Sequence, residues 1–161
     1  ITERKYSKEV LNFIKSVNPD ALFRIGWGII KEPLLSISKI GILSYHHGDI
    51  RKYRGQPPGF WQLYNNEREE KVTIQILDKG IDCGAIVSEV SVPIYSRDSY
   101  KSFNRRLYSY SYDLAAKACK NLSNDYKPIQ IPSSELGHLY STPTFFQWVK
   151  FNLKLLYRRI K

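Results

Sequence analysis

The chain has 161 residues, of which 42% are hydrophobic and 25% charged, with 25 Lys and Arg against 15 Asp and Glu. Such values belong to a single globular domain with a proper core and exclude a disordered chain; no apolar run is long enough for a spanning helix. The net charge of +10 favours anionic partners without choosing among phosphorylated metabolites, nucleic acid and lipid head groups.

Ser7 to Val17 reads as an amphipathic helix, with Val10, Phe13, Ile14 and Val17 at helical spacing, Ser7 as cap and Asn18-Pro19 as stop. Ala21 to Ile25 reads as a short strand, and Gly26-Trp27-Gly28 directly after it suits a tight exit or a close approach to a ligand. A short helix or turn is expected over Glu32 to Ser36, then a strand over Ile40 to Tyr45. This order suggests parallel βαβ construction. Asp49 to Gln56 is a basic, polar loop, and Pro57 to Asn65 reads as a helix with proline in its first turn.

Val72 to Leu77 and Ala85 to Ile94 are strands joined by a charged, glycine-bearing turn, Asp78 to Gly84. Asp98 to Leu122 is expected to be the longest helix, capped by Asp98, with Tyr100, Phe103, Leu107, Tyr110, Leu114 and Ala118 recurring every three or four residues. Lys127 to Gly137 has no clear period. Residues 1–142 thus form a core, followed by a basic amphipathic helix over 143–161. In that helix Lys150, Lys154, Arg158 and Lys161 fall on one stripe, and Phe145, Val149, Leu153, Leu156 and Ile160 fall opposite. Docking of this helix on the core or on a second subunit is the favoured reading. Its acid-free stripe keeps peripheral membrane contact open, and nucleic-acid contact ranks lower.

The candidate chemistry lies between Gly41 and Gly84. His46 follows an apolar strand and precedes His47-Gly48-Asp49, while Asp82 sits between Gly80 and Gly84 in the turn after a later strand. In a parallel sheet the two strand ends would be neighbours, and a carboxylate beside an imidazole can move protons near neutral pH. Ser44, two residues before His46, faces the same way on a strand and could donate to a developing oxyanion. The plainer alternatives are a hydrogen-bonded structural histidine and a turn-forming aspartate. Cys83 and Cys119 show no metal-ligand spacing, and free thiols in a reducing cytosol are expected, hence a cytoplasmic protein with no metal.

Taken together, Gly41-Ile-Leu-Ser-Tyr-His46, Tyr53-Arg-Gly55 and Val72-Thr-Ile-Gln-Ile-Leu-Asp-Lys-Gly-Ile-Asp-Cys-Gly84 resemble the signature of the folate-dependent formyltransferases. The resemblance covers roughly Pro19 to Ile94. It implies an α/β fold: a partial Rossmann-like, three-layer sandwich with a mainly parallel sheet, plus the C-terminal helix. It also implies attack of a substrate amine on the formyl group of 10-formyltetrahydrofolate through a tetrahedral intermediate, with His46 as catalytic histidine and Asp82 as its partner. Gly26, Trp27, Gly28 and Ile29, with Asp78, Gly80 and Ile81, would line the pterin slot.

Ser44 stands where the family has asparagine, and His47 or Asp49 could compensate; His47 and Asp49, with Arg54 of the basic loop that also holds Arg51 and Lys52, are expected to bind the amine substrate, Arg54 holding an anionic one. The chain starts at Ile1 and holds no methionine, so trimming is expected; most of the family's opening βαβ portion is absent, and the chain is read either as a fragment of a longer enzyme or as a shortened homologue that binds without turnover. A non-catalytic or formyltetrahydrofolate-hydrolysing relative is the second expectation, and a basic binding module the third. A homodimer is compatible with all three.

Overall fold

The computed structural model describes residues 6–26 and 28–160, the side chains of 159 and 160 excepted. Its elements in chain order are α1 (Lys8–Val17), β1 (Ala21–Arg24), β2 (Gly41–His46), β3 (Tyr53–Gly55), α2 (Phe60–Tyr64) and β4 (Glu69–Ile76). They continue with β5 (Ala85–Pro93), α3 (Tyr100–Tyr110), α4 (Leu114–Ser123), β6 (His138–Tyr140) and α5 (Phe145–Ile160).

The main sheet runs β1-β2-β4-β5. Only β1 and β2 are parallel; β2/β4 and β4/β5 are antiparallel. The expectation of a mainly parallel sheet is therefore corrected. For β4 and β5 the physical reason is connection length: the short turn from Leu77 to Gly84 can close a hairpin, whereas a parallel return needs a crossover of roughly a dozen residues or more.

Both faces of the sheet are covered. Leu43, Val72 and Ile74 pack with Phe103, Leu107, Leu114 and Ala118 of α3 and α4, a cluster that also takes in Phe60, Phe151 and Leu155. On the other face, Ile42 packs with Ile30, Leu34 and Leu35, against which Leu11 and Ile14 of α1 rest. Helix, sheet and a helix-bearing layer make the three tiers. Alternation along β2 sends Leu43 and Tyr45 into the first cluster, so Ser44 and His46 face the second side.

Helix α1 is capped as expected: Ser7 Oγ accepts from the Val10 amide (3.3 Å), and Asn18 closes it in the left-handed conformation. Its inward face differs, because Leu11 and Ile14 pack while Val10, Phe13 and Val17 stay exposed. The single long helix expected over Asp98 to Leu122 is two helices, broken at Ser111–Asp113, and its cap is Ser99 rather than Asp98. Polar side chains compete for the carbonyls at the break: the Tyr45 hydroxyl donates to Ser111 O (2.9 Å), and Ser88 Oγ donates to Leu114 O (3.1 Å). Asp98 instead binds Arg106, whose Nη1 lies 2.6 Å from its carboxylate.

The helix expected from Pro57 starts later, at Phe60, after Gly59 in a positive-φ turn. Two short strands were not legible at all: β3 and β6 pair in parallel, Tyr53 opposite His138 and Gly55 opposite Tyr140. Among the described residues no helix is long and apolar enough to cross a membrane.

Candidate active site

His46 ends β2 opposite Thr73, on the sheet face that also carries Ser44 and Gln75. It is 8% exposed. Its Nε2 lies 2.8 Å from the Tyr53 carbonyl, so an N–H there donates to the backbone and fixes the ring. Its Nδ1 faces Asp82, 3.4 Å from Oδ2. Gly48 lies close against the ring, leaving no room for a side chain between His46 Nε2 and the Tyr53 carbonyl.

Antiparallel pairing puts Ile76, at the end of β4, opposite Leu43 rather than opposite His46. The turn therefore has to fold back over the sheet to bring Asp82 to the imidazole, and local chemistry holds it there. Asp82 is in the left-handed region (φ 47°), its Oδ2 accepts from the Gly55 amide (2.8 Å), and its Oδ1 accepts from Gln75 Nε2 (3.3 Å). Gln75, 1% exposed, also accepts from the Gly84 amide through Oε1 (2.9 Å), so one side chain ties both flanks of the turn. Gln75 was missed in the sequence. The signal available was a polar residue at the strand position that alternation aligns with Ser44 and His46.

Arg54 does not stand free. Its Nε donates to Gly137 O (2.8 Å) and its Nη1 to Ile81 O (3.3 Å), so it clamps the turn that carries Asp82. Asp49 is buried and accepts from the Arg51 amide (3.0 Å) and guanidinium (2.9 Å), which makes it a loop anchor. Ser44 Oγ accepts from Arg24 Nη1 (3.1 Å) and donates to Tyr45 O (3.3 Å). Arg24 is a second residue that the sequence reading passed over.

His47 points away from His46, between Tyr45 (ring centroids 5.8 Å apart) and Tyr108 (4.3 Å). Burial, with a smaller contribution from the neighbouring His46, pulls its pKa down to about 4. It is therefore a neutral aromatic wall of a cavity of about 450 Å³ that Ser44, Gly26 and Arg24 also line.

Of the residues assigned to a pterin slot, Gly26, Gly28 and Ile29 are exposed at the exit of β1, as are Asp78, Gly80 and Ile81 in the β4–β5 turn. Trp27 lies outside the described residues. The two segments border one sheet face, since Leu77 packs against the cluster that holds Ile30. The space before Gly26 and Gly28 is open, and Ile29 (48% exposed) and Ile81 (43%) offer apolar surface. Cys83 and Cys119 are both free, and burial pushes the Cys83 thiol up.

Under the site, Glu70 is 3% exposed and accepts from the Asp49 and Lys71 amides, each at 2.7 Å. Its Oε2 has no partner, and burial raises its pKa from 4.5 to about 7. The folded chain thus holds this proton while the unfolded chain has lost it, so stability present below pH 4.5 declines as pH rises towards 7. Glu70→Gln removes that slope. Between pH 4.5 and 8 the wild type is expected to lose roughly 3 kcal/mol more than the variant in urea unfolding. Parallel pH profiles would show the Glu70 site to be ordinary. His47 acts in the opposite sense in both proteins, lowering stability as pH falls from 6.5 towards 4, and cancels in the comparison.

The frame is thus that of an α/β protein with an imidazole–carboxylate pair set over its sheet. Comparison with known proteins agrees with the α/β frame. A family model described as formyl transferase matches residues 2–118, and the chain belongs to that family. The methionyl-tRNA formyltransferase of Nostoc sp. is 31% identical over 140 residues, covering 86% of this chain and 40% of the relative. The chain therefore spans well under half the length of that relative.

Among solved structures, HypX from Aquifex aeolicus in complex with tetrahydrofolic acid superposes with a TM-score of 0.71 at 16% identity, over 92% of this chain and 28% of that one. The N-formyltransferase from Helicobacter canadensis, in complex with folinic acid and dTDP-3-aminofucose, gives 0.64 at 20% identity, over 86% and 56%. These likenesses show a shared Rossmann-like fold.

Proposed function

We propose that this chain supplies the catalytic centre for transfer of a formyl group from 10-formyltetrahydrofolate to a primary amine. The observation that carries the reading is the His46–Asp82 pair, with Nε2 tied to Tyr53 O and Nδ1 turned to the carboxylate. Bound at the site, 10-formyltetrahydrofolate would supply an activated formyl carbon. The exposed Ile29 and Ile81 and the open backbone at Gly26 and Gly28 fit a flat heterocycle with amide edges, and would hold it.

The residues of the chain then have separate roles. His46 Nδ1 would take the proton that an attacking amine loses and return it to the folate nitrogen as its bond to the formyl carbon breaks, while the Asp82 carboxylate stabilises the imidazolium in between. Gly55 and Gln75 keep Asp82 from rotating away. Ser44 stands where the family has asparagine, but its proton goes to Tyr45 O, so the Arg24 guanidinium bonded to it is the donor that would stabilise negative charge developing on the formyl oxygen. A relative named methionyl-tRNA formyltransferase and a structural neighbour in complex with dTDP-3-aminofucose support an acceptor no finer than a primary amine.

The test is thermal unfolding of the chain with 5-formyltetrahydrofolate, a stable analogue of the donor. A rise in Tm that saturates with ligand is expected, because a ligand that binds only the folded state stabilises it. No shift at saturating folate would remove the reading. Formate release without an amine acceptor would assign the same centre to hydrolysis.

A further inference from the structure

Helix α5 docks through a different face from the one its sequence suggests. Phe151 and Leu155 are buried in the main core and Trp148 packs against it. Of the apolar stripe read in the sequence, Phe145, Val149, Leu153 and Leu156 are exposed and the Ile160 side chain lies outside the described residues; Phe146 and Tyr157 extend the exposed row to six, from 43% at Val149 to 81% at Phe146. On a helical projection these six fill one continuous arc of about a third of the circumference. Six large apolar side chains in one unbroken row exceed the scattered exposure expected of a free surface.

The cations lie on the flank between this row and the core. Lys150, Lys154 and Arg158 line a groove of about 650 Å³, with Leu153 and Tyr157 on the apolar side and Asn66 and Ser96 opposite. Among the described residues no carboxylate lines it. Lys154 Nζ donates to Tyr64 O (2.7 Å) and lies over the Tyr64 ring, so the row is anchored rather than waving in solvent. Arg158 Nη2 reaches Tyr95 O (3.4 Å), but its Nη1 is buried with no hydrogen-bond partner among the described residues. From His138 to Lys161 the chain contains no Asp or Glu.

We propose that α5 is a docking surface for an anionic phospholipid membrane, its apolar row entering the interface and its basic groove receiving a headgroup phosphate. The occupant follows from charge and layout together. An apolar row flanked along its length by cations, with no acid, matches the depth profile of a bilayer surface, where acyl chains lie below phosphates. A protein partner would explain the apolar row but not the acid-free groove with its unpaired guanidinium nitrogen. Nucleic acid would explain the groove and could stack on Phe145 and Phe146, but would gain nothing from the aliphatic Val149, Leu153 and Leu156.

The experiment is cosedimentation of the chain with vesicles of phosphatidylcholine alone and of phosphatidylcholine mixed with phosphatidylglycerol. Binding to the mixed vesicles is expected, at least about tenfold stronger than to phosphatidylcholine and weakened by salt. The double variant Leu153→Gln, Leu156→Gln is expected to lose roughly tenfold or more of that binding. Both positions are exposed, so its circular dichroism and Tm should match the wild type. Lys150→Gln, also on the surface, should narrow the preference for phosphatidylglycerol while leaving the fold intact.

Several results would each overturn the proposal. They are no sedimentation of folded protein with mixed vesicles, equal binding to both vesicle types, or binding indifferent to the Leu153 and Leu156 changes. A dimer that forms through Leu153 and Leu156 without vesicle binding would give the face to a second copy instead. RNA binding that survives the leucine changes, with vesicles ignored, would give the groove to nucleic acid.

Discussion

Replacing His46 by alanine is expected to lower formyl transfer by about a thousandfold, the range for removal of a positioned acid–base group. The effect should fall on kcat, with folate binding retained, because the residues proposed to hold the heterocycle lie on the β1 exit and the β4–β5 turn rather than on the imidazole. Asp82→Asn separates charge from position. The amide oxygen can still accept from Gly55 N–H, which keeps the stronger tie of the turn while the longer one to Gln75 Nε2 is lost, and the imidazolium loses its counter-charge. A kcat loss of about a hundredfold with an unchanged folate KM is expected. Activity of His46→Ala within a few-fold of wild type would mean that the proton moves elsewhere.

Gly55→Ala should be among the most disruptive single changes. Gly55 has φ 86°, a conformation that side chains rarely adopt, and an added Cβ would run into the Tyr140 carbonyl of the paired strand β6. Either β6 moves or the peptide turns over. In both cases the N–H that holds Asp82 Oδ2 is displaced. A stability loss of about 3 kcal/mol or more is expected in urea unfolding, together with a fall in transfer activity. Gly28→Ala is the control for stability: nothing lies within 4 Å of its Cβ position and its φ is not positive, so a change within about 0.5 kcal/mol is expected. Equal losses at the two positions would show that the β3–β6 pairing is not what holds the turn.

The two predictions meet at one piece of architecture. The β3–β6 ladder joins residues more than eighty positions apart, and the Gly55 amide at its end reaches Asp82. Arg54, beside Gly55, bonds to Gly137 on one side and Ile81 on the other. The basic loop that looked like an anion clamp is in this respect a brace for the turn. The same substitution would therefore be read in a stability assay and in an activity assay.

Local pattern carried much of the fold. Ser7 and Asn18 marked the ends of α1 because a cap acts within one helical turn of its own residue. Alternation over Gly41–His46 and Val72–Ile76 separated the core face from the site face for the same reason, since strand periodicity is a property of the strand itself. The motif around His46 and the glycine-flanked Asp82 identified the two residues that face each other at 3.4 Å.

Tertiary structure decided what depended on competition between distant surfaces. The direction of β4 against β2 is not set by their connection, which from His46 to Glu69 is long enough for either return, so a connected series of strands could be read as parallel. Gln75 and Arg24 joined the site only when folding put them beside Asp82 and Ser44. The break at Ser111 was hidden because the hydroxyl donating to it belongs to Tyr45, sixty-six residues earlier. Helix α5 carries two faces that could be buried, and periodicity alone cannot rank them. Sequence fixes which residues share a face, but the partner surface settles which face goes inward, and here the Trp148–Phe151–Leu155 face met the core.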